Sequence, residues 1–303
     1  MKILSALFFE LLLLNCSVSG TAQTTRAEND RLPYEQNQQL QLEEQSKGKT
    51  PVIKYHGSPV MSAATGLYVV YYGRFTSTQH NILDTFLQTL GGSPAFNINT
   101  EYYDSQNQYV QNILNYNPTA DSYNDAYSMG RSLSGNFDTT LIHNAISAGH
   151  LPADVNGIYI LTISPDVKLP SSVWCAYHYH SSAIVTGDDI KYAVAADPPK
   201  SVLTSCSGNI TNYHDKTSPN GDIGMDEVVD SLIHEISETV TDPDVNAWFT
   251  SNGSETGDLC NFTYGTTFIA PNGSHANYTF GSRNYLAQEI WSMENPVGCV
   301  QTH

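Results

Sequence analysis

The order of elements along this sequence predicts an α/β fold: a single domain on a mixed, twisted sheet with packed helices. Three observations carry that prediction. Apolar, β-branched stretches lie between glycines, segments of helical period alternate with them, and the composition from about residue 51 onward is uniform, with no linker and no internal repeat.

Residues 66–73 (GLYVVYYG) are β-branched and aromatic between glycines and read as a buried strand. Residues 79–90 place Ile82, Leu83, Phe86, Leu87 and Leu90 at helical spacing before the stop Gly91-Gly92. Residues 95–103 read as a second strand, and 138–148 as a helix ending at Gly149. Residues 157–163 (GIYILTI) have the plainest strand pattern in the chain. Residues 182–186 and 191–196 read as two shorter strands around the turn Gly187-Asp188-Asp189, and 225–240 as a long helix stopped by Pro243.

Composition narrows the function classes. Of 303 residues, 40% are hydrophobic, enough for a substantial core, so a wholly disordered chain is excluded. Thirty acids face 13 bases, a formal net charge of −17, which excludes an electrostatic footprint for nucleic acid or anionic lipid. Such a surface suits cations or basic partners.

Met1-Lys2, an apolar run over 3–14 and the small residues Ser17 to Ala22 predict a signal peptide over 1–20, with cleavage after Gly20 or Ala22. The run is too short for a transmembrane anchor, so a secreted, extracellular protein is expected. Residues 21–50, polar and rich in Gln, read as a flexible leader, and 51–303 as the globular domain. Cys175, Cys206, Cys260 and Cys299 remain after processing, an even number suited to two disulfides. Neighbour pairing, Cys175 with Cys206 and Cys260 with Cys299, closes the shortest loops and is preferred among three possibilities. Sequons at Asn209, Asn252, Asn261, Asn272 and Asn277 are expected to carry glycans and to mark surface loops.

The chemistry concentrates in the helix MDEVVDSLIHEISETVTDP. At about 100° per residue, Met225, Val228, Val229, Leu232, Ile233, Ile236 and Val240 share one face. Glu227, Asp230, His234 and Glu238 fall on the opposite one. His234 and Glu238, one turn apart, can reach a single ion. Glu235 beside them is placed as general base, the arrangement of a zincin-type His-Glu-x-x-His helix with Glu in place of the second His. A catalytic zinc site needs a third protein ligand, for which Glu255 and Asp258 in the following loop are equal candidates. One His with two carboxylates is a hard donor set, so manganese or calcium also suits the site. His178 and His180 would share a face of an extended segment, but the pair reads as incidental histidines among aromatic residues beside a disulfide rather than as a metal pair.

Several blocks resemble the exordium family, also called phosphate-induced proteins: residues 55–60 (YHGSPV), 71–75 (YYGRF) with Gln79 and 84–86 (DTF), Cys175 with His178, 219–226 (PNGDIGMD), 239–243 (TVTDP), and Glu255 before Cys260. The resemblance implies an extracellular or cell-wall role in growth and cell expansion without established catalysis. His234, Glu235, Glu238 and Asp258 are not carried over from it and rest on spacing alone. Two expectations result. One is a metal-dependent hydrolase acting on a peptide or protein substrate. The other is a non-catalytic protein that meets an extracellular-matrix or cell-wall component.

Overall fold

The computed structural model describes residues 51–170, 175–197, 205–294 and 296–303; the expected signal peptide and leader lie outside the described residues. After a short strand β1 (Lys54–Tyr55), the chain enters the central sheet through β2 (Thr65–Tyr72). Helix α1 (Ser77–Leu90) starts at a capping box: the Thr76 hydroxyl accepts from the Gln79 backbone N–H, and the Gln79 side chain accepts from the Thr76 N–H. A four-residue helix α2 (Pro94–Asn97), a 3-10 turn over Ile98–Glu101 and two short strands, β3 (Leu114–Asn115) and β4 (Ser122–Asp125), follow. Helix α3 (Phe137–Ser147), strand β5 (Gly157–Ile163), the hairpin β6 (Ala176–Val185) and β7 (Asp188–Ala196), a short α4 (Gly208–Thr211) and the long α5 (Ile223–Thr241) complete the main body.

The sheet has the order β3-β2-β5-β7-β6, with β4 also on β2. All pairings are parallel except the β6–β7 hairpin, so the sheet is mixed. Side chains alternate across it. Leu67, Val69 and Tyr71 of β2, Ile158 and Ile160 of β5, and Ala193 and Ala195 of β7 face α1 and α5. Val70, Tyr72, Tyr159, Leu161, Ile163, Tyr192 and Val194 face Phe137, Leu141, Ile142 and Ala145 of α3. Helices on both faces explain why β5 is buried along its whole length and lacks an alternating pattern.

Beyond α5 the chain runs through short pairs: β8 (Trp248–Phe249) on β1, β9 (Phe268–Ile269) with β10 (His275–Ala276), β11 (Tyr278–Phe280) with β12 (Arg283–Tyr285), and β13 (Ile290–Ser292) with β14 (Gly298–Val300). No helix among the described residues is long and apolar enough to cross a membrane.

Three expectations are corrected. Residues 95–103 are not a strand: Ser93 Oγ accepts from the Phe96 N–H, and Pro94 occupies the first helical position, where a missing N–H costs nothing. The strand expected at 182–186 begins earlier, at Ala176, because its first half pairs with β7 from Ala195 down to Ile190. The sequons do not all mark surface. Asn209 and Asn261 are buried, and Asn209 Nδ2 donates to Asp215 Oδ2 and to the His275 carbonyl. Asn277 is held by three hydrogen bonds to Tyr264 and Ala287, whereas Asn252 and Asn272 are exposed.

Both disulfides take the neighbour pairing, Cys175–Cys206 and Cys260–Cys299. Each ties a segment near α5 to a distant part of the chain.

Candidate metal centre

Helix α5 begins where Asp222 caps the Met225 N–H and ends at Asp242 before Pro243. Its sequence gives it one apolar and one polar face, yet every residue from Gly224 to Thr241 is buried. The apolar face lies on the sheet and α1; the polar face is covered by the segment that follows the helix and by the chain around Gln288. Acidic side chains are thereby taken out of water, which is costly unless they are paired.

Three elements bring donors together. Helix α5 supplies His234, Glu235 and Glu238. Strand β6 supplies His178, on the same face as Ala176 and opposite Ala193, where small side chains leave room for α5. The loop before Cys260 supplies Glu255 and Asp258. His178, His234, Glu235 and Glu238 have fully buried side chains, and Asp258 is 18% exposed.

Glu238 is the pivot. Its Oε1 accepts from the backbone N–H groups of Gly257 and Asp258, at 3.0 and 2.9 Å. That fixes the carboxylate and turns Oε2 toward both imidazoles, 3.2 Å from His234 Nε2 and 3.5 Å from His178 Nδ1. Glu235 lies alongside, with Oε2 3.5 Å from His178 Nδ1 and Oε1 4.0 Å from His234 Nε2. Glu255 Oε2 is 3.7 Å from His178 Nε2, and Asp258 Oδ1 is 3.7 Å from His234 Nε2. Asp258 Oδ2 in turn accepts from the Glu255 N–H.

The outer contacts orient His234. Gln288 Nε2 donates to the Gly257 carbonyl at 2.8 Å, so its Oε1, 3.1 Å from His234 Nδ1, acts as acceptor. The Nδ1 proton is thereby specified, and in the neutral ring Nε2 presents its lone pair to the cluster, as a ligating His requires. Asp230 holds this frame by accepting from the Gln288 N–H and the Tyr264 hydroxyl, each at 2.8 Å. Gly257 is indispensable for space: a Cβ there would lie 2.6 Å from His234 Cγ.

Four carboxylates and two imidazoles leave two negative charges uncompensated even with both rings protonated. Glu235 Oε1 and Oε2, Glu238 Oε2 and His234 Nε2 meet no partner with hydrogen-bond geometry. The titration shifts express this imbalance. Burial works against the His234 imidazolium, but Glu238 and Glu235 outweigh it and raise its pKa to about 10. Burial likewise opposes ionisation of Glu238, yet His234 and His178 hold it well below the ordinary range. Burial and then the Glu238 charge raise Asp258, and burial raises Glu235. Without a cation, protons must supply the missing positive charge.

Within this cluster, two sets of donor atoms lie within 4.8 Å of one another: His234–Glu235–Glu238 and His178–Glu238–Glu255. Of the two loop carboxylates that spacing could not separate, Glu255 belongs to one of these sets, whereas the Asp258 carboxylate faces His234 Nε2 at 3.7 Å and accepts from the Glu255 N–H. His178 is the donor that sequence reasoning passed over. Its partner in the His-x-His pair, His180, turns instead to Asp189 at 2.9 Å, on a partly exposed edge. The signal was a histidine on the core-facing parity of β6, two residues from Ala176 and opposite Ala193 of β7.

Residues 53–296 match the conserved region described as phosphate-induced protein 1. The chain belongs to the phosphate-induced protein family. All six donors fall inside the matched region. Within this family, the protein EXORDIUM-like 3 of Arabidopsis thaliana is 28% identical over 270 residues, covering 79% of this chain and 80% of the relative. EXORDIUM-like 5 of the same plant is 26% identical over 278 residues, covering 79% and 75%. No solved structure matches the chain.

Proposed function

We propose that this phosphate-induced family member is a secreted protein that binds a divalent cation at His234, Glu238 and a loop carboxylate, and that it hydrolyses peptide bonds there. The single observation behind the proposal is the buried excess of carboxylate around two imidazoles, with donor atoms left unsaturated. An imidazole nitrogen donor favours zinc or manganese over calcium, which prefers an all-oxygen shell. Glu255 and Asp258 are the candidates for the third protein ligand.

A divalent cation bound here supplies Lewis acidity to water and to a substrate carbonyl. The residues of the chain do the rest. Glu235, between the two imidazoles and held above the usual carboxylate range by burial, accepts a proton from water and returns it to the leaving amine. Gln288 keeps Nε2 of His234 directed at the cluster, and Gly257 and Asp258 keep Glu238 from rotating. Secretion is supported by the two disulfides and by the basic start and apolar run over residues 1–14.

A second reading keeps the cation but removes turnover: a non-catalytic extracellular or cell-wall protein in which the ion pins α5 to β6 and the loop. Complete burial of Glu235 and both histidines favours it, since a peptide would have to reach them. Metal analysis and peptide turnover on the purified mature protein separate the two. The hydrolase reading expects bound zinc or manganese, and Glu235→Gln keeping the metal while losing turnover. Metal without turnover in the unaltered chain leaves the non-catalytic reading standing.

A further inference from the structure

We infer that the cluster takes two divalent cations, with His178 and Glu255 forming a second position that shares Glu238 with the first. This rests on the cation-binding reading above and extends it in number.

Two ligands of one tetrahedral ion, at bonds of about 2.1 Å, lie about 3.4 Å apart. Glu238 Oε2 meets that spacing twice, at 3.2 Å to His234 Nε2 and at 3.5 Å to His178 Nδ1. The two histidines enter different compact sets of donors in this cluster, His234 with Glu235 and Glu238, and His178 with Glu238 and Glu255, which share only Glu238. An ion held by either set engages one imidazole, and the other set still offers a His and a loop or helix carboxylate of its own. The two halves also have the same make-up. His234 is followed by Asp258 at 3.7 Å and His178 by Glu255 at 3.7 Å, with Glu238 between them. Glu235 turns one oxygen to each histidine, at 4.0 and 3.5 Å.

Charge agrees with this count. Four carboxylates with two neutral imidazoles carry four negative charges, the complement of two divalent ions. The fully buried atoms aimed inward without hydrogen bonds, both oxygens of Glu235, Glu238 Oε2 and His234 Nε2, are donor capacity that the protein's own hydrogen bonds leave unused. Paired ions about 3.5–4 Å apart bridged by a carboxylate are an established hydrolytic arrangement, and Glu235 stands over both positions as proton acceptor. The imidazole donors select zinc or manganese.

The test is metal stoichiometry on the full mature chain equilibrated with excess Zn2+ or Mn2+ and desalted, with spin coupling read by electron paramagnetic resonance of the Mn2+ form. The expected result is two ions per chain and a coupled manganese pair. His178→Ala and the near-isosteric Glu255→Gln should each fall to one ion with an uncoupled spectrum, while circular dichroism remains that of the folded chain. One ion in the unaltered chain overturns the second position and leaves the single-ion reading intact. No ion at all overturns both. Two ions retained in both variants place the second ion elsewhere and also overturn the inference.

Discussion

The two faces of the central sheet bury polar groups in opposite ways. On the α3 face, tyrosines dominate and the hydroxyls of four of them have outlets. Tyr177 and Tyr192 both donate to Asp138 Oδ2, at 2.9 and 3.1 Å, and Tyr72 and Tyr159 donate to the carbonyls of Gly130 and Pro152, each at 2.5 Å. On the α5 face, carboxylates and imidazoles crowd together and several lone pairs point at one another. Buried polarity with matched donors and acceptors stabilises a fold; buried polarity with only acceptors facing inward requires a cation or protons. The contrast is what sets the candidate site on one side of the sheet apart from the hydrogen-bonded packing on the other.

The strongest way to break the contrast is to cut the tether under the loop. Replacing Cys260 and Cys299 together by Ser should cost about 2–4 kcal/mol in a denaturant titration and abolish cation retention, because Glu255 and Asp258 lose their fixed position. Retention of the ion in that variant would detach the loop from the site. Next, chelation should lower the stability of the unaltered chain by about 2.7 kcal/mol relative to cation at a hundredfold excess over its Kd. The chelated form should also become pH-sensitive. His234 in the folded, cation-free chain has its pKa raised from the ordinary 6.5 to about 10, so the folded state keeps a proton that the unfolded chain releases. That contribution is complete below pH 6.5 and disappears as pH rises through about 10; the raised Asp258 acts in the same sense at lower pH. Unfolding midpoints of the chelated protein should therefore drop between neutral and alkaline pH, and a flat profile would contradict the charge imbalance.

Gly257→Ala sharpens the comparison further. The added methyl meets the His234 ring, so a cost of about 1–3 kcal/mol with loss of ion binding is expected. Normal metal content in Gly257→Ala would show that the ring can shift freely. The smallest effect belongs to the opposite face. Tyr192→Phe removes one of two hydroxyls on Asp138 and should cost about 1 kcal/mol with metal content unchanged. A drop in metal content there would mean that the two faces are not independent.

Much of the frame was legible because it is written in local periodicity. The helical spacing of Ile82, Leu83, Phe86 and Leu90, the run GIYILTI and the apolar stripe of α5 locate their elements to within two residues. Pro94 was the missed local cue, since two buried aromatics, Phe96 and Tyr102, imitate a strand. His234, Glu235 and Glu238 were legible as a set because one helical turn fixes their spacing. His178 was not, because its role depends on which face of an edge strand α5 covers, and that is a long-range fact. Burial of the polar face of α5 was hidden for the same reason: the residues that cover it, Gly257 and Gln288, lie 19 and 50 positions beyond Glu238.

Each disulfide is anchored beside a donor that the helix does not itself provide: Cys175 just before His178, and Cys260 just after Asp258. While the thiols remain reduced, strand and loop lack their covalent ties to the rest of the fold. On the secreted reading proposed above, thiol pairing during export would double as a maturation step, keeping the site unfinished until the chain has left the compartment where it was made.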